Sequence, residues 1–540
     1  MKKPRLSLGL DISTQGIAAA VLDIDTRSKV YEHSLDYCRD PRLNIYGIRQ
    51  EDYILPPESE GEASQPPALF FAALDAMFSD LKQAVALDNI VVINNSSQQH
   101  GHVYLNSAAR KIFSGLTREE SAAANLVTLL QGSLAYDRAP IWMTADTAEQ
   151  AEHIRNYVGG KAPAIRLSGS DIPLRFTGVV MRKIAQQYPE IYRRTENIQL
   201  ISGLVSAILT GNSKAPADFG NACGTALMDY EEKKWSEILV SAAADGLPGG
   251  AKAFRRKLPT IVQPDALIGD IDTYFVRKYG FSPECKVAAG SGDNPQSKVL
   301  VAGDLLSLGT SLVNMVATDG KTYDMNGYAN AMYDGAGRPF MFGCRTNGAM
   351  VWDRLRALYG LKKEEYLPAE EALRETPPAQ NMVFWQPRTE SFPMSGSLEM
   401  VRMGNGTPSL STDYAGLIET TLAAVYYHSR GFSRETDEPL YVTGGAAGSK
   451  GIVRRIAAIW RRPVIVLEGG GASLGAAVSA ASVYFKSQGI DIDIEKFAGE
   501  GLLKKSREVR PLPEDVAAFH QPGGYLARFA IEEAKLLGLP

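Results

Sequence analysis

Cysteine is scarce in this chain. Cys38, Cys223, Cys285 and Cys344 are the only four, they lie far apart, and none forms a C-x-x-C pair or has a histidine at metal-ligand spacing beside it. That excludes a disulfide scaffold and a zinc module, and the four read as reduced, mostly buried thiols. An excess of charge of one sign is also lacking: Lys and Arg number 57 against 61 Asp and Glu, for a formal net charge of -4, with no long block of either sign. Generic binding to nucleic acid or to an anionic membrane is therefore not expected. Long apolar runs are missing as well. Long uncharged stretches such as Asn197 to Ser213 and Gly469 to Phe485 are broken by Asn, Gln, Ser, Thr and Gly; they suit a core helix and a glycine loop entering a helix, not a membrane span. The start, Met1-Lys2-Lys3-Pro4-Arg5, is basic, but only Leu6 to Leu10 follow before Asp11, too short for the apolar region of a secretory signal. A cytoplasmic protein is expected.

What is present is ordinary globular composition, 45% hydrophobic and 22% charged over 540 residues, enough for more than one core. Leu6 to Gly16 alternates and ends in small polar residues before Ile17 to Ile24 resumes, which predicts a strand-turn-strand hairpin. Ser307-Leu308-Gly309-Thr310-Ser311 followed by Leu312 to Val316 repeats the design, and a distant duplication would explain it. Ile90 to Asn95 reads as a buried strand, Ala148 to Tyr157 and Val179 to Gln187 as helices, and the mixture as α/β. Prolines between Leu258 and Pro283 precede a new glycine-rich strand end at Val287-Ala288-Ala289-Gly290, so the domain boundary is placed at 283/284, giving domains 1–283 and 284–540. Pro56 to Pro67, polar and Pro-rich, is expected to be a surface loop.

Candidate chemistry sits in a few turns. Gly9-Leu10-Asp11-Ile12-Ser13-Thr14-Gln15-Gly16 offers backbone N–H groups and small side chains for phosphate, with Asp11 able to hold a hydrated Mg2+; a plain hairpin capped by Asp and Thr is the other reading. The second hairpin at Gly309-Thr310-Ser311 shifts the balance, because two such turns can grip a polyphosphate from two sides. Gly290-Ser291-Gly292-Asp293-Asn294-Pro295 places one carboxylate in a glycine-flanked turn, a candidate general base for phosphoryl transfer to an alcohol, against an ordinary Asx-turn. Ser96 to His102 gathers hydrogen-bonding side chains behind a buried strand and suits a polyol or sugar; His102 is expected in a solvated loop. Trp142 is either an aromatic wall or core. Tyr441 to Lys450 runs from a strand through Gly444-Gly445-Ala446-Ala447-Gly448-Ser449 into a helix, with room for adenine and its ribose, and Gly469 to Ala477 is expected to pack as a helix beneath that site.

In order, G-L-D-I-S-T-Q-G, Q-Q-H-G, P-I-W-M, R-F-T-G, G-S-G-D-N-P, S-L-G-T-S, T-G-G-A and G-A-S-L-G-A-A resemble the FGGY family of carbohydrate kinases from Gly9 to about Ala481, most of all its longer xylulokinases. The resemblance implies two actin-like ribonuclease-H-type domains flanking a cleft that closes, an N-terminal sugar-binding and a C-terminal nucleotide-binding one. It implies ATP and Mg2+, a small sugar as the substrate and a homodimer as the assembly. Asp293 would be the catalytic base and Asp11 the metal-holding carboxylate. His100, Arg175, Asp293 and Asn294 would bind the sugar; Thr14 and Gln15 in the first turn, with Gly309, Thr310, Gly444, Gly445 and Ser449, would bind the nucleotide. D-xylulose is the leading substrate, with ribulose or a related polyol as the alternative and an actin-like switch ATPase or inactive regulator as the reading from another class. Three positions depart from the family pattern: Trp142-Met143-Thr144 stands for W-x-D with Asp146 displaced, Ser449 for a frequent Asn, and Gln98-Gln99-His100 for Met-x-His or Met-Gln-His.

Overall fold

Each side chain of β1 (Leu6–Ile12) except that of Asp11 is buried, as a strand must be when neighbours flank it and helices cover its faces. Its partners are β2 (Gly16–Asp23), antiparallel through the tight turn, and the parallel β4 (Ile90–Ser97). The computed structural model describes residues 3–404, 407–499 and 501–539; Met1 and Lys2 of the basic start lie outside the described residues. With β3 (Ser28–Asp36), β5 (Leu267–Asp270) and β6 (Lys286–Ala288), the first sheet runs β5-β6-β4-β1-β2-β3, and the short β7 (Ser291–Gly292) pairs with the end of β4.

The second sheet is built from β8 (Leu305–Leu308), β9 (Leu312–Ala317), β10 (Asn330–Tyr333), β11 (Pro339–Arg345), β12 (Leu440–Thr443), β13 (Val464–Glu468) and β14 (Lys504–Val509), ordered β10-β11-β9-β8-β12-β13-β14. Read from opposite ends, the two sheets match. In each, a tight hairpin (β1–β2, β8–β9) has an antiparallel neighbour beyond its second strand and two parallel strands beyond its first, and an antiparallel edge strand closes the parallel side. This is the topological counterpart of the repeated hairpin in the sequence; the edge strand enters at a different point of the chain, and the second sheet carries one strand more, β10 beyond β11.

The chain forms two compact units: Met1–Leu300 with Met332–Pro339 and Gly469–Leu503, and Val301–Ala331 with Phe340–Glu468 and Lys504–Pro540. The boundary expected at 283/284 falls inside the first unit, because Lys286 and Val287 pair with Val92 and Ile93, and Ser291 and Gly292 with Ser96 and Ser97. The Gly444 loop belongs to the second unit, and the helix Ala472–Ser487, expected beneath that loop, to the first. It lies so close to β1 that a Cβ on Gly9 would stand 2.1 Å from the Ser473 carbonyl oxygen, and one on Gly475 would stand 1.8 Å from the Gln296 carbonyl oxygen. Gly9 is therefore required by helix packing rather than by an approaching phosphate. Among the described residues no helix is long and apolar enough to cross a membrane. The four cysteines form no disulfide, Cys223 and Cys285 being buried and Cys38 and Cys344 half-buried.

Candidate active site

Three parallel strands of the first unit end together: Asp11 lies opposite Ser96, which is also opposite Ser291 on the other side. The C-terminal edge of parallel strands is where open α/β sheets bind ligands. One residue beyond β7, Asp293 opens the helix α1 (Asp293–Lys298). The turn before it is anchored by Asn94, whose Oδ1 accepts from Gly290 N at 3.1 Å, and by Asn95, whose Nδ2 donates to Ser206 Oγ at 2.8 Å. Gly290, at φ +79, leaves no room for a side chain against Asn95. Asp218, fully buried, accepts from Ser291 Oγ at 2.8 Å and from the N–H groups of Gly220 and Asn221 at 2.9 and 3.0 Å. Asn94, Asn95 and Asp218 carry no motif signal and were not singled out in the sequence.

Burial pushes the Asp293 carboxyl up to about 7, the charge of Asp11 adds to the rise, and the N–H groups of Asn294 and Gln99 oppose it. Asp11 is itself pushed up to about 6 by burial, against a hydrogen bond from Ser96. Two neighbouring carboxylates that resist ionising together offer a base poised near neutrality and a seat for positive charge. One Asp11 oxygen, Oδ1, is buried without a partner, as are Ser97 Oγ and Gln99 Nε2, so this end of the sheet carries polar capacity that no protein group meets. Among the described residues no three His, Cys, Asp or Glu side chains gather into an all-protein metal cage. A lone orphaned carboxylate oxygen fits Mg2+ bound as it commonly is beside phosphate, by one or two carboxylates with water and phosphate oxygens completing the shell. Asn294 Nδ2 donates to Gln99 Oε1 at 3.0 Å and to Asp293 Oδ1 at 3.1 Å.

His100 holds a left-handed backbone, φ +68, and donates from Nδ1 to the Gly224 carbonyl at 2.7 Å. Burial, and secondly the charge of Arg175, push its pKa down to about 3. The ring is therefore neutral at pH 7, with Nε2 left as an acceptor for a hydroxyl. Its face stacks on Phe176, centroids 4.5 Å apart, so R-F-T-G brings Arg175 and Phe176 to Q-Q-H-G. His102, expected in a solvated loop, is fully buried on the strand His102–Asn106; its Nδ1 donates to the His100 carbonyl and its Nε2 accepts from Tyr104.

Trp142 is 45% exposed, which rules out a core role, and its Nε1 donates to Thr14 Oγ1 at 2.8 Å. Thr14 Oγ1 in turn donates to Gln98 Oε1 at 3.1 Å, and Gln98 Nε2 donates to Gln65 Oε1 at 2.7 Å. The Thr14 hydroxyl thus braces the turn, leaving backbone N–H as what Thr14 has to offer a phosphate. Gln65 lies within the segment expected to be a surface loop, yet it is fully buried, since its Nε2 donates to the Thr14 and Tyr53 carbonyls. Gln15 is exposed, and its carbonyl accepts from Tyr37 N. At the W-x-D departure, Thr144 donates to the Ala63 carbonyl and Asp146 pairs with Lys183 and Ser59. Asp146 is thereby a structural ion-pair member.

In the second unit the Gly309-Thr310 turn and the Gly444 loop follow two adjacent parallel strands, with Ser307 opposite Thr443. Thr310 is exposed, and a Cβ on Gly445 or Gly448 would meet nothing within 4 Å. Gly444, at φ +97, presses against the Leu308 backbone, where a Cβ would come within 2.7 Å. Ser449 caps the helix Lys450–Trp460, its Oγ accepting from Ile452 N at 3.1 Å and donating to Glu370. Its hydroxyl is therefore engaged, which the sequence did not indicate.

Residues 131–299 match the family model for the N-terminal domain of the FGGY family of carbohydrate kinases. D-xylulose kinase A of Aspergillus niger is 27% identical over 96% of this chain and 95% of its own, and the xylulose kinase of Schizosaccharomyces pombe is 27% identical over 91% and 92%. The chain is a sugar kinase similar to the FGGY family of carbohydrate kinases. Among solved structures, ligand-bound xylulose kinase and gluconate kinase, both from Lactobacillus acidophilus, superpose with the same TM-score of 0.79 at 17% identity, covering 98% and 99% of this chain and 98% of each. The fold is thus the actin-like one, and because kinases named for two different substrates superpose equally well, shape alone does not select the sugar.

Proposed function

We propose that this sugar kinase transfers the γ-phosphoryl group of ATP to the terminal hydroxyl of D-xylulose, with Asp293 as the general base. The observation that carries the reading is Asp293 itself: it stands at the C-terminal edge of three parallel strands, beside Asp11, with its carboxyl pushed up to about 7. A base titrating near the working pH accepts a hydroxyl proton as the oxygen attacks phosphorus, without being permanently protonated. His100 Nε2 accepts from one sugar hydroxyl, Asn294 Oδ1 accepts from another, and Arg175 donates to a third. The two relatives named as xylulose kinases support D-xylulose over other polyols.

In the second unit the Gly309–Thr310 turn is proposed to offer N–H groups to the phosphates of ATP, with Gly444, Gly445 and Ser449 at its nucleoside; in the first unit Thr14 and Gln15 are proposed to offer N–H groups to phosphate. The first unit then serves the sugar and the second the nucleotide. Mg2+, where bound, neutralises charge on the phosphate oxygens. Asp11 is the residue that would hold it, through the oxygen left without a protein partner. A homodimer completes the proposal and is read by light scattering.

The test is ADP release measured with D-xylulose, D-ribulose, other pentuloses and hexuloses, glycerol and gluconate. D-xylulose should give the highest kcat/KM. A higher value for another polyol reassigns the substrate, and ATP hydrolysis indifferent to every polyol overturns the kinase reading.

A further inference from the structure

The helix Lys450–Trp460 begins directly after the Gly444 loop, and the free N–H groups at such an end ordinarily attract an anion. Here the anion is supplied by the chain. Glu370, on the helix Leu367–Glu375, accepts from Gly451 N through Oε1 at 2.9 Å and from Ser449 Oγ through Oε2, while Ser449 Oγ accepts from Ile452 N. From another element, Arg507 donates to the carbonyls of Ala447 and Gly448 at 2.9 and 3.5 Å. A carboxylate thus satisfies the donors of the loop and a guanidinium its acceptors. What stays open is the glycine face, where Gly445 and Gly448 have no neighbour within reach of a Cβ.

We infer that Glu370 is a positioning residue of the nucleotide loop: by filling the start of the helix Lys450–Trp460 it keeps polyphosphate off that end and leaves the open glycine face to the uncharged nucleoside of ATP. A second carboxylate or a phosphate placed within a few ångströms of Glu370 would be repelled, whereas adenine and ribose would not. The inference rests on the reading above that this loop holds the nucleotide.

Steady-state kinetics on the full chain test it with Glu370→Ala, Glu370→Gln and Gly445→Val. Gly445→Val fills the open face and should raise the ATP KM at least tenfold; an unchanged ATP KM means that the nucleotide lies elsewhere, and the underlying reading fails. With that control positive, Glu370→Ala should raise the ATP KM about tenfold with the sugar KM unchanged. Inorganic pyrophosphate, competing with ATP, should inhibit this variant at about one-fifth of the concentration needed for wild type, because the helix end is then vacant. Glu370→Gln retains an acceptor for Gly451 N but not the charge, so it should keep the ATP KM within about threefold of wild type and still gain pyrophosphate sensitivity. That variant decides the matter if Glu370→Ala does not fold. Unchanged pyrophosphate inhibition in the folded variants overturns the inference.

Discussion

Replacing Asp293 by Asn should weaken the enzyme and strengthen the fold together, and the two effects have separate causes. General-base help is worth about 10²-fold or more, so kcat should fall at least a hundredfold while nucleotide binding persists. The stability gain follows from the same burial. The folded carboxyl is pushed from its ordinary 3.8 up to about 7, a rise of about three units, or about 4 kcal/mol at most. Asp293 is partly accessible and the Asn294 and Gln99 N–H groups can still bond to an amide oxygen, so about half of that, roughly 2 kcal/mol, is the expected gain at pH 8. Between about pH 4 and 7 the folded state holds a proton that the unfolded state has released. Its contribution is therefore full below pH 4 and lost as the pH rises through 7. Thermal melts across pH should show the Asn variant ahead of wild type by roughly 2–5 °C at pH 8, with the gap closing toward pH 4. In parallel, wild-type kcat/KM for the sugar should rise with pH through an inflection near 7, because the ionised form is the base. A variant that keeps more than about a tenth of the wild-type kcat, or that melts no higher than wild type at pH 8, would refute the reasoning.

His100→Ala and Arg175→Ala should each raise the sugar KM about tenfold or more and spare the ATP KM, since each removes a hydrogen bond that a polyol must otherwise give up to water; unaltered sugar kinetics in both would move the sugar site. Trp142→Phe removes the donor to Thr14 and should lower kcat/KM about fivefold through a looser turn, read with both substrates varied. Gly9→Ala should cost more than about 3 kcal/mol, because its methyl has no room against the backbone of the helix Ala472–Ser487, and urea unfolding of the first unit checks it.

Local order was legible in the sequence because it is written in contiguous residues. The hairpin at Asp11, its repeat at Thr310, the strand Ile90–Ser97, the helix Ala148–Tyr157 and the turn bearing Asp293 all declare themselves by alternation, helical period or glycine. The ordered motifs pointed to the family for the same reason. Only the tertiary structure decided which unit a returning segment joins and which side chains are already occupied. The helix Ala472–Ser487 packs on β1 across more than 460 residues, Ser7 Oγ donating to the Ala477 carbonyl at a separation of 470. Ser291 meets Asp218 across 73 residues, Gln98 meets Gln65 across 33 and Ser449 meets Glu370 across 79. No local pattern encodes such pairs, because a buried polar side chain takes its partner from whatever element the fold brings beside it. The raised carboxyls of Asp11 and Asp293 belong to the same class, since their burial and mutual repulsion exist only once β1, β4 and β7 end side by side.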